Sequence, residues 1–302
     1  MIEDISPRII YLNSFFSYTF SIKILILKKL QLINNCSILL SPRGELKESA
    51  LSKGRIKKMI YIKLSKIFSL YSPVLWQVTN TSEEECIKRL FNTNVKLVVA
   101  SNITRPIIKT KKLDFNIKKE DSLKLVFVGR IHRIKNLLYS LEILSEIKGE
   151  VEFDIIGLLE DHSYWTACKK KIEVMPENIH VNYIGDIPNN QVIRRLQNYH
   201  FLFLLTQGEN FGQSIFEALS VGLPVITSNQ TPWVQLEEKN AGWNLPLDST
   251  KLILDKLNYC YKMNQTTYNS YVNGAISCAL NYECNSGALE ANKTMFKTAL
   301  QL

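Results

Sequence analysis

Glu209 and Glu217 lie in the run FLFLLTQGENFGQSIFEALSVGLPVIT, residues 201–227. Phe201 to Leu205 is an apolar run that reads as a buried strand. Thr206 to Gly212 reads as a polar loop with two glycines. Gln213 to Val221 reads as a short helix stopped by Gly222, and Pro224 leads into another apolar strand. One carboxylate therefore stands on the loop and the other one turn inside the helix, with the N–H groups of Gly212, Gln213 and Ser214 between them. Free N–H groups and the dipole at a helix N-terminus attract phosphate, while carboxylates accept hydrogen bonds from sugar hydroxyls. A ligand that carries both groups, a nucleotide sugar, would satisfy all three features. The same strand–loop–helix pattern is also plain scaffold in many α/β proteins, so the segment gains weight only from a second phosphate-directed element.

Leu123 to Val128 (LKLVFV) is another buried-strand pattern, followed at once by Gly129 and Arg130. Lys135 opens the next helical stretch, Asn136 to Ile147, with apolar residues at 137, 138, 141, 143, 144 and 147. Arg130 and Lys135 thus fall at the carboxyl end of a strand, where open parallel sheets bind ligands. An Arg and a Lys together can neutralise a diphosphate, the first through its planar fork and the second as a mobile point charge. The plainer alternative is a solvated basic turn made of Arg130, His132, Arg133 and Lys135.

The segments FVGRIHRIKN (127–136), YIGDIP (183–188), GENFGQSIFEALSVGLPVI (208–226) and NAGWNLPLD (240–248) resemble the retaining glycosyltransferases of family 4, the group 1 glycosyltransferases. Their Glu-x7-Glu signature is matched by Glu209 and Glu217. The likeness runs through the C-terminal half and, more faintly, through LSPRGEL (40–46). It implies an α/β GT-B fold of two Rossmann-like doubly wound domains. The expected division is a partial acceptor-side domain over 1–115, a nucleotide-sugar domain over 116–285, and a final helix over 286–302 that returns toward the first domain.

The resemblance also implies roles. Arg130, Lys135 and Glu209 would be catalytic: the cations bind the diphosphate and stabilise its growing charge, and Glu209 holds hydroxyls of the donor sugar. Gly129, Asn210, and the amides of Phe211 and Gly212 would line the donor pocket. The Gln213 amide would meet the distal phosphate, and Glu217 would accept the ribose hydroxyls. The backbone of Asp186 and Ile187 would read the base. A UDP- or GDP-sugar is the expected co-substrate. Sites for a metal are not expected, since there is no Asp-x-Asp motif, no Cys-x-x-Cys pair, and His132, His162, His180 and His200 are scattered. A leaving nucleoside diphosphate needs positive charge more than it needs a protein acid.

Six cysteines without paired spacing, and no secretory leader, lead us to expect a reducing cytoplasm. Residues 1–118 hold 20 Lys/Arg against 8 Asp/Glu; the other 184 hold 17 against 20, and the balances of +12 and −3 sum to the +9 of the chain. No nucleic-acid-reading motif accompanies the basic half. Its stretch KGRIKKMIYIKLSKIFSLY (53–71) sets Ile56, Met59, Ile60, Leu64, Ile67, Phe68 and Tyr71 on one helical face. Such a face either packs on its own sheet or meets an anionic membrane peripherally. Tyr11 to Ile33 is apolar but interrupted by Lys23, Lys28 and Lys29, too soon for a bilayer span. It reads as a strand end and a helix.

The first domain departs from the family pattern. The opening MIEDISPRIIYLNS looks like its fourth strand, so the domain is expected to be truncated. Where relatives carry a histidine facing the donor sugar this chain has Arg43, an expected acceptor-side residue whose alternative is a loop tie to Glu45 or Glu48. Two hypotheses stay open. One is an enzyme that adds sugar to a lipid-linked or cell-surface glycan of lipopolysaccharide, O-antigen or capsule type at the inner face of the cytoplasmic membrane. The other is a non-enzymatic remnant that only binds nucleotide sugar. A nicotinamide enzyme is disfavoured, because no G-x-G-x-x-G follows a strand.

Overall fold

The computed structural model describes residues 5–33, 35–52, 54–104 and 117–301. The chain divides into two compact units, Met1–Arg105 with Ser286–Leu302, and Pro106–Asn285. The domain boundary expected at 115/116 lies outside the described residues.

In the first unit four parallel strands pair in sequence order: β1 Ile9–Leu12, β2 Ser37–Leu40, β3 Val74–Val78 and β4 Leu97–Val99. Helices α1 Lys23–Lys29, α2 Glu48–Ser52, α3 Arg55–Ile67 and α4 Thr81–Phe91 connect them. One face of the sheet is filled by rings. Phe15 stacks on Tyr71 at 4.8 Å and on Trp76 at 5.9 Å, and meets Phe91 edge-on at 5.6 Å. Two carboxylates tie the loops at the carboxyl edge. Glu45 accepts from the N–H groups of Phe15 and Phe16, at 2.8 and 2.9 Å. Buried Glu83 accepts from Gly44 N at 2.6 Å and Thr79 N at 2.9 Å. The last helix, Ala288–Leu300, covers the other face of this sheet: Met295 and Ala299 are fully buried against Leu39, Leu75 and Ala100.

The run 11–33 becomes the end of β1, a π-helical turn Tyr18–Ile22, and α1. Among the described residues no helix is long and apolar enough to cross a membrane. In α3 the apolar stripe is formed but reversed with respect to the core: Ile56, Met59, Ile60, Leu64, Ile67 and Phe68 are exposed, while Ile62 and Ser65 face inward. The alternative of an apolar face packed on the sheet is thereby overturned. Tyr71 departs from the stripe, because the chain turns beyond Ile67 and delivers its ring to the aromatic core.

The second unit has six parallel strands in the order β10-β9-β8-β5-β6-β7. These are β5 Leu123–Val128, β6 Val151–Ile156, β7 Ile179–Gly185, β8 Phe201–Leu204, β9 Val225–Ser228 and β10 Gly242–Leu245. Helices α5 Leu137–Leu144, α6 His162–Glu173, α7 Asn189–Leu196 and α8 Gln213–Ser220 alternate with them, and α9 Thr250–Lys262 and α10 Gln265–Asn285 follow. The final helix Ala288–Leu300 is thus α11. LKLVFV and FLFL are almost uniformly apolar because β5 and β8 are central strands covered on both faces. From β5 the chain winds one way, to β6 and β7; from β8 it winds the other way, to β9 and β10. The switch point therefore lies between the carboxyl ends of β5 and β8.

At the opposite edge of the sheet, His200 is buried between strands, its Nδ1 accepting from Lys124 N at 3.0 Å. Burial, with the nearby Lys118 and Lys124 charges adding to it, pushes the imidazolium down to about 3. That lies below the ordinary value of about 6.5. As pH falls below 6.5 the unfolded chain takes up a proton that the folded chain refuses, so stability is lost progressively from there toward pH 3. We expect the urea midpoint to drop between about pH 7 and pH 5 in the native chain, and to drop less in His200→Gln. An equal drop in both would assign the acid sensitivity elsewhere.

Candidate functional site

The loop after β5 runs Gly129, Arg130, Ile131 and His132 into a 3-10 turn, Arg133–Lys135. His132 starts that turn, its Nδ1 accepting from Ile134 N at 3.2 Å. Asn136, a residue that tolerates positive φ, passes the chain into α5 at φ 58°. The loop after β8 runs from Leu205 to Gly212. The two loops are joined: Gln207 N and Thr206 Oγ1 both donate to Ile134 O, at 2.8 and 2.9 Å.

Across that junction Lys135 Nζ and Glu209 Oε1 form an ion pair whose side chains are only 14% and 10% exposed. The Lys135 stem lies over Gly129, where an added Cβ would meet its Cδ and Cε at 3.6 Å. Here the structure joins three of the residues singled out from sequence. Arg130 stands on the same loop but turns outward, its Nη1 donating to both oxygens of Glu160 at 2.9 and 2.8 Å. With side-chain exposures of 61% and 39%, that pair is worth about 0–1 kcal/mol and exchanges easily for another anion. The Lys135–Glu209 pair is different. Removing one partner there leaves a desolvated charge behind, at a cost of about 3–5 kcal/mol in the fully buried limit.

Gly212 begins α8 at φ 80°, a backbone state that L side chains rarely adopt, and it offers no side-chain cap. A Cβ there would also crowd Ile215 Cδ1 at 3.0 Å and the Trp233 indole at 3.3 Å. The residue before it is locked: Phe211 is buried against Phe216, Trp233 and Tyr282, and its carbonyl accepts from Trp233 Nε1 at 2.7 Å. The helix start is therefore held in place at the carboxyl edge of the sheet, and its N-cap residue, a glycine, brings no side chain to the first-turn N–H groups. Asn210 lies half-buried on the loop just before.

One turn into α8, Glu217 is 7% exposed. Its Oε1 accepts from Asn189 Nδ2 at 2.9 Å and from Gln213 Nε2 at 3.2 Å. Two neutral donors hold the carboxylate without neutralising it, so its charge and remaining lone pairs stay available to a ligand. Asp186 and Ile187 follow β7 directly, after Gly185; Asp186 is exposed and Ile187 packs on the core. Arg43 lies in the first unit, at φ 53°. It donates to Asn13 Oδ1 at 2.9 Å, to the Tyr11 hydroxyl at 2.8 Å and to Asn102 Oδ1. It does tie down a loop, but not through Glu45 or Glu48: Glu45 is occupied with Phe15 and Phe16, and Glu48 pairs with Arg89.

Three residues went unnoticed in the sequence. Asn189 follows Pro188 at the start of α7 and reads there as a helix-start residue. Trp233 reads as core, and Glu160 carried no signal at all. Among the described residues no group of three or more His, Cys, Asp or Glu side chains could share a metal ion.

The fold and crevice define a class: a parallel α/β protein with cations at one strand end of the switch point, and a carboxylate with an open helix start at the other. Residues 109–274 match the family model described as glycosyl transferases group 1, and the chain belongs to that family. The O-antigen biosynthesis glycosyltransferase WbnH of Escherichia coli is 26% identical over 197 residues, 64% of this chain and 52% of the relative. The chain thus spans about half the length of the curated relatives it matches. Among solved structures, the sucrose-phosphate synthase of Thermosynechococcus elongatus superposes with a TM-score of 0.74 at 13% identity, over 98% of this chain and 75% of that one. HepE of Anabaena, in complex with UDP-glucose, superposes with a TM-score of 0.69 at 16% identity, over 98% and 79%. The fold is that of the GT-B glycosyltransferases.

Gly157, just after β6, adopts φ 148° with its Cα against the Gly129 carbonyl, so that a methyl group there would collide with that backbone. Gly157→Ala must push the Gly129–Arg130 loop aside. We expect it to cost about 2 kcal/mol or more in urea unfolding, and an unchanged midpoint would show the loop to be free to move.

Proposed function

We propose that this chain is a retaining glycosyltransferase of hexosyltransferase type. It moves a sugar from a UDP- or GDP-sugar to a lipid-linked or cell-surface glycan, of the lipopolysaccharide, O-antigen or capsule kind, without a metal ion. The observation that carries the reading is the convergence at one switch point of the Lys135–Glu209 pair, the glycine-started α8 and the tethered Glu217. Diphosphate, hexose hydroxyls and ribose hydroxyls each find a partner of matching chemistry there. The O-antigen role in the names of the relatives supports the acceptor class.

In this mechanism Lys135 turns from Glu209 to the diphosphate, and Arg130 exchanges the exposed Glu160 for the same group. Glu209, released, accepts hydroxyls of the donor sugar, so neither charge is left unpaired in the crevice. The first-turn amides of α8 receive the distal phosphate, Glu217 the ribose, and the backbone of Asp186 and Ile187 the base. As the glycosidic bond breaks, negative charge grows on the leaving diphosphate, and fixed cations stabilise it without a protein acid. The acceptor hydroxyl attacks from the face the diphosphate leaves, a phosphate oxygen takes its proton, and the anomeric configuration is kept. The reading puts the enzyme on the cytoplasmic side of the membrane, where nucleotide sugars are made.

Isothermal titration should show UDP or GDP binding with chelator present, and Glu217→Ala should weaken it by about 1–3 kcal/mol through lost charge-assisted hydrogen bonds. Asn189→Ala should weaken it less, since it only orients the carboxylate. No heat with any nucleoside diphosphate would remove the donor site. Binding without sugar transfer to cell-envelope lipid extract would leave a nucleotide-sugar-binding module.

A further inference from the structure

The first unit carries an apolar surface that its own core does not use. On α3 the buried residues are Ile62 and Ser65, with Tyr61 partly buried on the core, while the outward stripe is Ile56, Met59, Ile60, Leu64, Ile67 and the C-cap Phe68, from 41% to 77% exposed. Arg55, Lys57, Lys63 and Lys66 flank that stripe, all exposed. A helix on a water-facing surface normally shows the reverse pattern.

A second segment repeats it. In the π-helical turn, α1 and the three residues after it, Tyr18, Phe20, Ile26, Leu30 and Leu32 are exposed beside Lys23 and Lys29, with only Ser21 and Leu25 buried. The two segments are neighbours. Phe16, just before the turn, meets Tyr61 of α3 at 5.9 Å and lies under Lys58 Nζ at 5.2 Å. Nearly half of the large apolar side chains exposed among the described residues belong to these two short segments. Scattered apolar residues need no explanation, but two adjacent apolar stripes rimmed by lysine mark a contact surface.

We infer that the α3 stripe and the turn leading into α1 together form one docking surface for an anionic lipid bilayer, with the apolar side chains entering the headgroup boundary and the lysines meeting lipid phosphate. Charge selects the occupant. No described acidic side chain lies between residues 17 and 44 or between 49 and 82, against a dense set of lysines. A second copy of the same surface would set these cations against one another, whereas anionic lipid pairs with them. The surface lies in the first unit, so the inference is independent of the nucleotide pocket of the second.

The test is co-sedimentation of the full chain with vesicles of equal parts phosphatidylglycerol and phosphatidylcholine, against pure phosphatidylcholine. Binding to the mixed vesicles at low salt, weakened about tenfold at high salt or on pure phosphatidylcholine, is expected. Ile60→Asp with Ile67→Asp, and separately Phe20→Asp with Leu30→Asp, should each reduce binding about tenfold. Lys57→Glu with Lys63→Glu should do the same while leaving circular dichroism and UDP affinity unchanged. Retention in the supernatant with anionic vesicles would overturn the inference. So would an unaltered affinity in the Phe20/Leu30 variant, which would confine the surface to α3. A dimer seen by light scattering and broken by the same substitutions, without lipid binding, would assign the surface to self-association instead.

Discussion

The second unit turns on an arrangement of charge at one place: a lysine and a glutamate, delivered by two adjacent strands that hand their chains off in opposite directions. Because every strand of the sheet is parallel, every following loop emerges at the same edge. Because β5 and β8 wind away from one another, the switch point opens between their carboxyl ends. The gap is poorly wetted, and Lys135 and Glu209 are each tolerable there only in the other's presence. Such a pair holds two charges in reserve at small exposure, and a ligand bearing both anionic and hydroxyl groups can take up both at once.

Around that pair the protein has fixed backbone rather than side chains. The Phe211 carbonyl is anchored by Trp233, Ile134 receives two donors from the facing loop, and Gly157 lets the end of β6 approach the Gly129 carbonyl. The long side chains are looser, as the outward Arg130 shows. For the proposed transfer, this division would suit charge that develops as the glycosidic bond breaks. Amides held in advance need no reorganisation, while a mobile guanidinium can follow a phosphate in and out.

Much of the second unit was legible in the sequence, because its strands are apolar runs and its turns carry glycine. LKLVFV became β5 with the expected bounds, and FLFLL and QSIFEALSV became β8 and α8 to within a residue. The carboxylates and cations stand in register with those elements, so their meeting at one edge follows from topology. The supporting residues did not follow. Asn189 reaches Glu217 across 28 positions, and Glu160 reaches Arg130 across 30. A side chain whose role is set by a partner that distant leaves no local pattern.

The first unit shows a different limit. Periodicity reported truly that α3 has an apolar face, but periodicity cannot say what that face meets. The answer depends on whether the core already has enough apolar volume, and here it has: Phe15, Tyr71, Trp76 and Phe91 fill the space beneath the helix. These rings come from three separate stretches of the chain, so their sum is invisible to any local window. Once they are seated, the helix lies on them through Ile62, Ser65 and the partly buried ring of Tyr61. Ile56, Ile60 and Ile67 then contribute nothing to the interior, and an outward stripe of that size in water is a standing cost to solubility. The reason for the stripe therefore has to be sought outside the unit, in whatever surface removes those side chains from water.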